Sequence, residues 1–154
     1  MHPVLRTTLL ILGFVWALPM TLLGALAGLV LMPFGARPRF ARMSLVFHHV
    51  PVGPGGALTI GNVILDTGAT LERDALTYHC AAHGGDDRVC MADHERAHVY
   101  QYLALGIFFL PLYFACGGIS HENRFEQAAD RYAATGEGWW PWAKSIGAEA
   151  PPTA

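Results

Sequence analysis

The sequence predicts an α+β fold that an N-terminal transmembrane helix anchors to a membrane. Three observations support this prediction. The stretch Thr7–Phe34 is apolar and uncharged, two short β-branched segments follow it, and two helical segments lie beyond residue 90. Hydrophobic residues make up 53% of the 154 residues and charged residues only 14%, which is too little charge for an ordinary soluble domain.

The apolar stretch exceeds the roughly 20 residues that a spanning helix needs. It is also about twice as long as the core of a cleaved signal peptide. We therefore interpret residues 1–34 as a retained anchor, although Pro19 leaves open a hairpin of two short arms. Arg6 and the free amine flank one end, and three arginines between residues 37 and 42 flank the other. The positive-inside bias then predicts an outside N-terminus and a cytoplasmic segment 35–154.

Residues 35–138 are predicted to form the folded domain. A basic linker, Gly35–Arg42, leads into two strands, Leu45–Val50 and Ala57–Leu65. Proline and glycine residues separate these strands, as is typical of a turn. The polar region that follows is expected to include a short helix near Leu71–Tyr78.

Two longer helices complete the predicted domain. The first begins at Asp93, a good N-cap residue, and ends near Leu110, and the second covers Glu122–Ala134. Proline and glycine in the segment 111–118 break the chain between them. Residues 139–154 contain three tryptophans suited to a membrane interface, followed by a tail expected to be loose.

The composition argues against two classes of protein, nucleic-acid-binding proteins and disulfide-stabilised scaffolds. A pI of about 6.4, with a single lysine, argues against nucleic acid as a partner. Three cysteines in 154 residues are too few for a disulfide scaffold. The lipid bilayer is therefore the first expected partner, and the oligomeric state is left open.

One motif carries recognisable chemistry, the HExxH segment from His94 to His98. On a helix, its two histidines lie one turn apart on the same face, so both imidazoles can reach one metal ion. Glu95 lies beside them, where it can take a proton from water bound to that metal.

A third ligand is available on the following helix. Glu126 would complete a His2Glu zinc site and leave the fourth position open, as catalysis requires. Asp130 is one helical turn further on and faces the same way. It is expected to accept the free N–H of a ligating histidine and to fix its tautomer.

The sequence therefore resembles the gluzincin metallopeptidases. The pairing of His94–His98 with Glu126–Arg131 is similar to their membrane-embedded branch, the heat-shock and CAAX-processing type. The chain also resembles a group of small bacterial membrane proteins of no assigned activity. In that group a Gly-Asn-Val-Ile-Leu-like strand precedes HExxHxxQ and a Gly-x-x-Phe-Leu-Pro-x-Tyr segment, here Gly61–Leu65, His94–Gln101 and Gly106–Tyr113.

These resemblances imply an integral protein of the bacterial inner membrane with zinc on His94, His98 and Glu126. They further imply that Glu95 is the base and that Asp130 supports a ligand. The spanning helices of the larger family are mostly missing. No residue is clearly marked to stabilise the oxyanion, and the weak candidates are His121, Arg131 and Tyr132.

The metal site also constrains the architecture. The apolar stretch Leu103–Ile119 is hydrophobic enough for a second span, but crossing the bilayer would put Glu126 about 25–30 Å from the two histidines. The chain must therefore turn back between residues 111 and 118. We expect a minimal zincin-like helical hairpin whose apolar tip is buried or dips into the bilayer.

Two competing motifs are present. Asp66-Thr67-Gly68-Ala69 is similar to the catalytic loop of retroviral-type aspartic peptidases, but these residues are also typical of a turn after a strand, which we favour. A second zinc site is conceivable in the segment 79–90, from His79, Cys80, His83 and Cys90. Its spacing matches no zinc finger well, so we favour a polar loop.

The sequence as a whole thus predicts a membrane-anchored zinc metallopeptidase that hydrolyses peptide or protein substrates. The alternative is a non-enzymatic membrane protein whose zinc site is structural, as in a subunit of a larger assembly. The effect of replacing the general base distinguishes the two hypotheses.

Overall fold

A single long helix, α1 (Pro3–Leu31), begins the fold and runs without a break through Pro19. The computed structural model describes residues 3–53, 55–68 and 70–143. Beyond α1 it shows a mixed α+β arrangement with a small sheet. The N-terminal apolar helix and the α+β class predicted from the sequence are therefore present.

The main sheet has four strands in the order β1-β2-β4-β3. Strands β2 and β4 are parallel, whereas the two outer pairs are antiparallel. A second sheet pairs β5 with β6. The strands are β1 (Arg37–Ala41), β2 (Ser44–His48), β3 (Ala57–Ile60), β4 (Val63–Asp66), β5 (Asp74–Leu76) and β6 (Arg88–Cys90).

Two strand predictions were wrong. The expected basic linker is the edge strand β1, where proline and charged residues are tolerated because one side of the strand is unpaired. The expected single strand Ala57–Leu65 is a hairpin of β3 and β4 that turns at Gly61-Asn62. Gly61 has a φ of +63°, and its missing side chain leaves room for the backbone of Thr21 on α1.

In the described part of the chain, four α-helices follow the first sheet: α2 (Tyr78–His83), α3 (Met91–Leu105), α4 (Phe109–Ala115) and α5 (Arg124–Thr135). The helix expected near residues 71–78 was misplaced, because β5 occupies that stretch and α2 begins only at Tyr78. The predicted N-cap was also wrong, since Cys90 occupies the N-cap position of α3, without a side-chain hydrogen bond, and Asp93 lies in the first turn.

The chain turns earlier than predicted. Helix α3 ends at Leu105, and its C-cap, Gly106, has a φ of +56° and lies against the Trp16 side chain. A short 3-10 helix then leads into α4, whose Phe109 ring lies 4.0 Å from the Tyr102 ring. Helix α4 therefore packs back against α3. The last helix agrees closely with its prediction, with Asn123 as its N-cap and left-handed Gly136 at its end.

The main sheet lies between α1 and α3. On one face, Phe47 and Val63 pack against α1, where Gly24 and Gly28 allow close approach. On the other face, Val46 and Ile64 pack against Ala92 and Val99 of α3. All four residues of β4 are buried because both faces are covered.

Within the described residues, two stretches are long and apolar enough to cross a membrane, judged by length and composition: Val4–Phe34 and Met91–Ala115. The first exposes most of its large apolar side chains, from Val4 to Val30. The second is more buried within the protein. Residues 139–143 of the tryptophan-rich segment pack on α3 and α5, with the Trp142 ring 5.6 Å from Phe125. The remainder of that segment, residues 144–154, lies outside the described residues.

Candidate metal centre

Helix α3 places the two motif histidines on one buried face. His94 is 4% exposed and His98 is 7% exposed. Their Nε2 atoms lie 3.2 Å apart, because residues four apart on a helix lie one above the other. Both nitrogens therefore face the same point in the interior.

Helix α5 brings a carboxylate to that point. Glu126 lies in the first turn of α5, which Asn123 fixes by accepting a hydrogen bond from the Phe125 backbone N–H. The Glu126 Oε2 atom is 3.0 Å from His94 Nε2 and 3.3 Å from His98 Nε2. Glu126 is 2% exposed, so all three groups converge away from solvent.

These three distances fit a tetrahedral metal site. Ligand atoms bonded to zinc at about 2.0–2.1 Å stand about 3.3 Å apart along the edge of a tetrahedron. The observed separations are 3.0, 3.2 and 3.3 Å. Within residues 3–53, 55–68 and 70–143, His94, His98 and Glu126 form the one group of three such side chains able to hold a metal ion.

The other nitrogen of each histidine is held in place. His94 Nδ1 donates to Asp130 Oδ1 at 2.9 Å, and His98 Nδ1 donates to Gln101 Oε1 at 2.8 Å. The orientation of the Gln101 amide is fixed, because its Nε2 donates to the backbone carbonyls of Phe125 and Trp139 and a flip would break both hydrogen bonds. Both imidazoles thus direct Nε2 toward the shared point.

The second oxygen of Glu126 is held in the same way. Tyr113, from α4, donates its hydroxyl hydrogen to Glu126 Oε1. Burial alone would raise the pKa of the Glu126 carboxyl, but the facing His98 and His94 imidazoles hold it well below its usual range. The carboxylate is therefore ionised, as a metal ligand must be.

Glu95 lies at the same site but outside the three-ligand group. Its Oε2 accepts a 2.6 Å hydrogen bond from Thr59 Oγ1 on β3. A cavity of about 120 Å³ opens beside it. Its polar lining comprises Thr59, Tyr78, His94, Glu95, His98, Tyr113 and Glu126, and its apolar lining comprises Ala57, Leu58, Phe109, Leu110, Phe114 and Ile119.

The three oxyanion candidates from the sequence do not line this cavity. His121 lies with its ring 4.5 Å from His83. Arg131 donates to the carbonyls of Gly138 and Trp140, and the Tyr132 hydroxyl accepts from Arg96. Each of these side chains has a contact elsewhere in the fold.

Four residues that the sequence did not indicate also lie at the site, Thr59, Tyr78, Gln101 and Tyr113. A signal existed for Gln101, because it follows His98 by three residues and so shares its helix face. Tyr113 stands in the Gly106–Tyr113 segment but was assigned no role at the site. Thr59 and Tyr78 come from separate elements that no spacing in the sequence connects to the motif.

The competing motifs take structural positions. Asp66 ends β4 and accepts a hydrogen bond from the backbone N–H of Gly68, as in a turn, and it also contacts Arg73 and His48. Cys80 is buried and Cys90 is half-buried, and both thiols are free. In the described part of the chain, the histidines and cysteines of residues 79–90 form no second metal-binding group.

Replacing Asp130 by alanine is expected to weaken zinc binding about 10–100-fold without unfolding the chain. The substitution frees His94 Nδ1, so the imidazole no longer has one preferred orientation. Competition with a chromophoric chelator measures the affinity, and Asp86→Ala, on an exposed loop, is the matched control. Unchanged zinc affinity in Asp130→Ala would refute this role.

Searches for relatives found that no family model, no curated protein and no solved structure matches this chain.

Proposed function

We propose that this protein is a membrane-anchored, zinc-dependent metallopeptidase of minimal gluzincin type. One observation carries the proposal. Three ligand atoms, His94 Nε2, His98 Nε2 and Glu126 Oε2, converge within 3.0–3.3 Å beside a cavity that also contains Glu95. Two imidazoles and one carboxylate are the donor set of a catalytic zinc site with an open fourth position.

In this proposal α3 is the active-site helix and α5 is the return helix of a zincin-like hairpin. Ala97 of α3 packs against Ala129 and Tyr132 of α5, which keeps the two helices close. Helix α4 closes the hairpin over the site and contributes Phe109 and Tyr113 beside the His98 ring.

Zinc, when bound, supplies Lewis acidity that polarises a peptide carbonyl and makes water easier to deprotonate. Glu95 takes the proton from the attacking water and later delivers it to the leaving amine. Thr59 holds the Glu95 carboxylate by its hydrogen bond to Oε2, which fixes the direction of the base. The three ligand side chains are oriented by one hydrogen bond each, His94 by Asp130, His98 by Gln101 and Glu126 by Tyr113.

Strand β3 offers a binding edge for an extended substrate. It is the last strand of the sheet and pairs with β4 on one side. Ala57, Leu58 and Thr59 of this strand also line the cavity. A peptide that added to this edge would lie along the site, and its backbone would supply the hydrogen bonds.

Exposed apolar side chains support the membrane location in this proposal. One side of helix α1 carries exposed apolar side chains. The other side packs against the main sheet and against the C-terminal part of α3. Ile107, Phe108 and Phe114 at the tip of the hairpin are also exposed, and Phe108 contacts Trp16 of α1 with ring centroids 6.0 Å apart. We propose that α1 spans the bacterial inner membrane and that this tip dips into the bilayer.

The proposed orientation gives a direct expectation. A translocation-dependent reporter fused after Ala154 should be inactive, because three arginines follow α1 and favour the cytoplasmic side. A reporter that is active only in the cytoplasm provides the complementary fusion. Strong activity of the translocation-dependent fusion, or a Cys80–Cys90 disulfide trapped in living cells, would reverse the orientation.

The experiment that tests the function works without a known substrate. Purified zinc-loaded protein in detergent is incubated with a proteome-derived peptide library, and new peptide ends are identified by mass spectrometry. We expect cleavage at a restricted set of bonds, lost on chelation and restored by zinc. A zinc-loaded, folded protein that cleaves no peptide would favour the structural-site alternative.

A further inference from the structure

Two tyrosines line the cavity beside the three-ligand group, and their hydroxyls are used differently. Tyr113 donates its hydroxyl hydrogen to Glu126 Oε1, so that hydrogen is already engaged. Within residues 3–53, 55–68 and 70–143, the hydrogen bond that Tyr78 makes comes from its backbone N–H to Asp130, and its hydroxyl makes none. Tyr78 is therefore the tyrosine whose donor remains available to a bound molecule.

The Tyr78 ring is placed against a metal-ligand candidate. It stacks on the His94 imidazole, with ring centroids 5.8 Å apart and an interplanar angle of 23°. A tyrosine hydroxyl can donate a hydrogen bond, so the ring that stacks on His94 also carries a donor at this site.

The backbone of Tyr78 is fixed by the group that orients His94. The Tyr78 N–H donates to Asp130 Oδ2 at 2.8 Å, while Asp130 Oδ1 accepts from His94 Nδ1 at 2.9 Å. Thr77 also caps α2 by accepting a hydrogen bond from the Cys80 N–H. One carboxylate therefore sets the positions of the imidazole and of the tyrosine relative to each other.

We propose that Tyr78 is the catalytic residue that donates a hydrogen bond to the peptide carbonyl oxygen as that oxygen gains negative charge. This inference rests on the proposed peptidase function. In the step, the water oxygen bonds to the carbonyl carbon, the π pair moves to the carbonyl oxygen and the water proton passes to Glu95. The C–N bond then breaks, the carbonyl re-forms and the amine takes the proton from Glu95.

A donor placed before the reaction stabilises this charge without reorganisation, which is why oxyanion donors have large effects on turnover. The candidates named from the sequence, His121, Arg131 and Tyr132, do not line the cavity. Tyr78 lines it together with Glu95 and the three ligand residues. The geometry therefore assigns to Tyr78 the role that no sequence motif indicates.

The substitution Tyr78→Phe tests the proposal, because it keeps the stacked ring and removes only the hydroxyl. On the peptide that the wild type cleaves fastest, we expect kcat to fall about 10²–10³-fold with little change in KM. Zinc affinity should remain that of the wild type. A kcat within threefold of wild type, or loss of zinc from Tyr78→Phe, would overturn the assignment.

Tyr113→Phe is the matched control, since it removes a hydroxyl from the other tyrosine of the same cavity. Because Tyr113 holds Glu126, its substitution should weaken zinc affinity about 10–100-fold. At saturating zinc its kcat should exceed that of Tyr78→Phe. Equal losses of kcat in both variants at saturating zinc would contradict separate roles.

A binding measurement provides a readout that does not depend on turnover. A phosphinic analogue of the same peptide has a tetrahedral centre with a charged oxygen, so Tyr78→Phe should bind it about 10–100-fold less tightly. The peptide substrate itself can be bound without cleavage in the inactive Glu95→Gln background. There we expect the single variant and the double variant Glu95→Gln/Tyr78→Phe to bind it with equal affinity. If the wild type cleaves peptides and Tyr78→Phe matches it in both assays, this inference alone fails. If the wild type cleaves no peptide, the proposed function fails with it.

Discussion

Replacing Glu95 by glutamine is expected to lower peptide turnover about 10²–10⁴-fold while zinc remains bound, since a glutamine amide cannot accept the proton of the attacking water. The side chain is 4% exposed and nearly the same shape as glutamine, so the surrounding packing should persist. Thr59 can still donate to the remaining carbonyl oxygen. Steady-state kinetics on the best library peptide, together with metal content and thermal unfolding, measure the three quantities.

Glu122→Gln is the matched control, because it makes the same chemical change on an exposed side chain outside the cavity. Its turnover, zinc content and melting temperature should equal those of the wild type. In a structural zinc site Glu95→Gln would change little. Wild-type turnover in zinc-loaded Glu95→Gln would therefore refute the role of Glu95 as the base.

Removing any one of His94, His98 and Glu126 should weaken zinc binding about 10²–10⁴-fold, if the three ligands share a total of about 10–16 kcal/mol equally. The effect has two parts, since the variant loses a ligand atom and also releases the groups that oriented it. For Glu126→Ala those groups include the Tyr113 hydroxyl, and for His98→Ala they include the Gln101 amide. Competition with a chromophoric chelator gives each affinity.

His121→Ala serves as the control for these ligand variants, because its imidazole does not line the cavity. It should bind zinc as tightly as the wild type. Added zinc should raise the melting temperature of the wild type and of His121→Ala, since a ligand that binds the native state stabilises it. A ligand variant that kept wild-type affinity would remove that residue from the proposed site.

The group of His94, His98 and Glu126, which could hold a metal ion, was predictable from the sequence because helical periodicity determines it. His94 and His98 are four residues apart on α3, and Glu126 and Asp130 are four apart on α5, so each pair shares a face. The hypothesis of one shared metal ion then predicts that the two faces meet, and Glu126 does contact both histidines. Gln101 follows the same rule and was missed only because no role was assigned to it.

Thr59 and Tyr78 could not be predicted in this way. Thr59 reaches Glu95 because β3 lies against α3, and Tyr78 reaches His94 because its N–H bonds to Asp130. Both contacts depend on tertiary packing between elements far apart in sequence. Local sequence patterns predict secondary structure and turns, but they do not predict which helices and strands pack against each other.

The fold likewise has features that local sequence patterns predict and features that depend on tertiary packing. Gly61-Asn62 between two apolar runs is a hairpin signal, so the division of the predicted strand Ala57–Leu65 could have been found. The parallel pairing of β2 with β4 could not, because it joins strands separated in the chain by β3. Gly106, the C-cap of α3, lies against Trp16 of α1, and this tertiary contact could not be predicted either.

The metal content of the purified wild-type protein tests the central claim most directly. After dialysis against metal-free buffer, inductively coupled plasma mass spectrometry should find about one zinc ion per chain, because three buried protein ligands retain it. The three ligand atoms within 3.0–3.3 Å of one another motivate that expectation. A folded protein that holds no zinc after purification, and takes up none when zinc is added, would contradict the account.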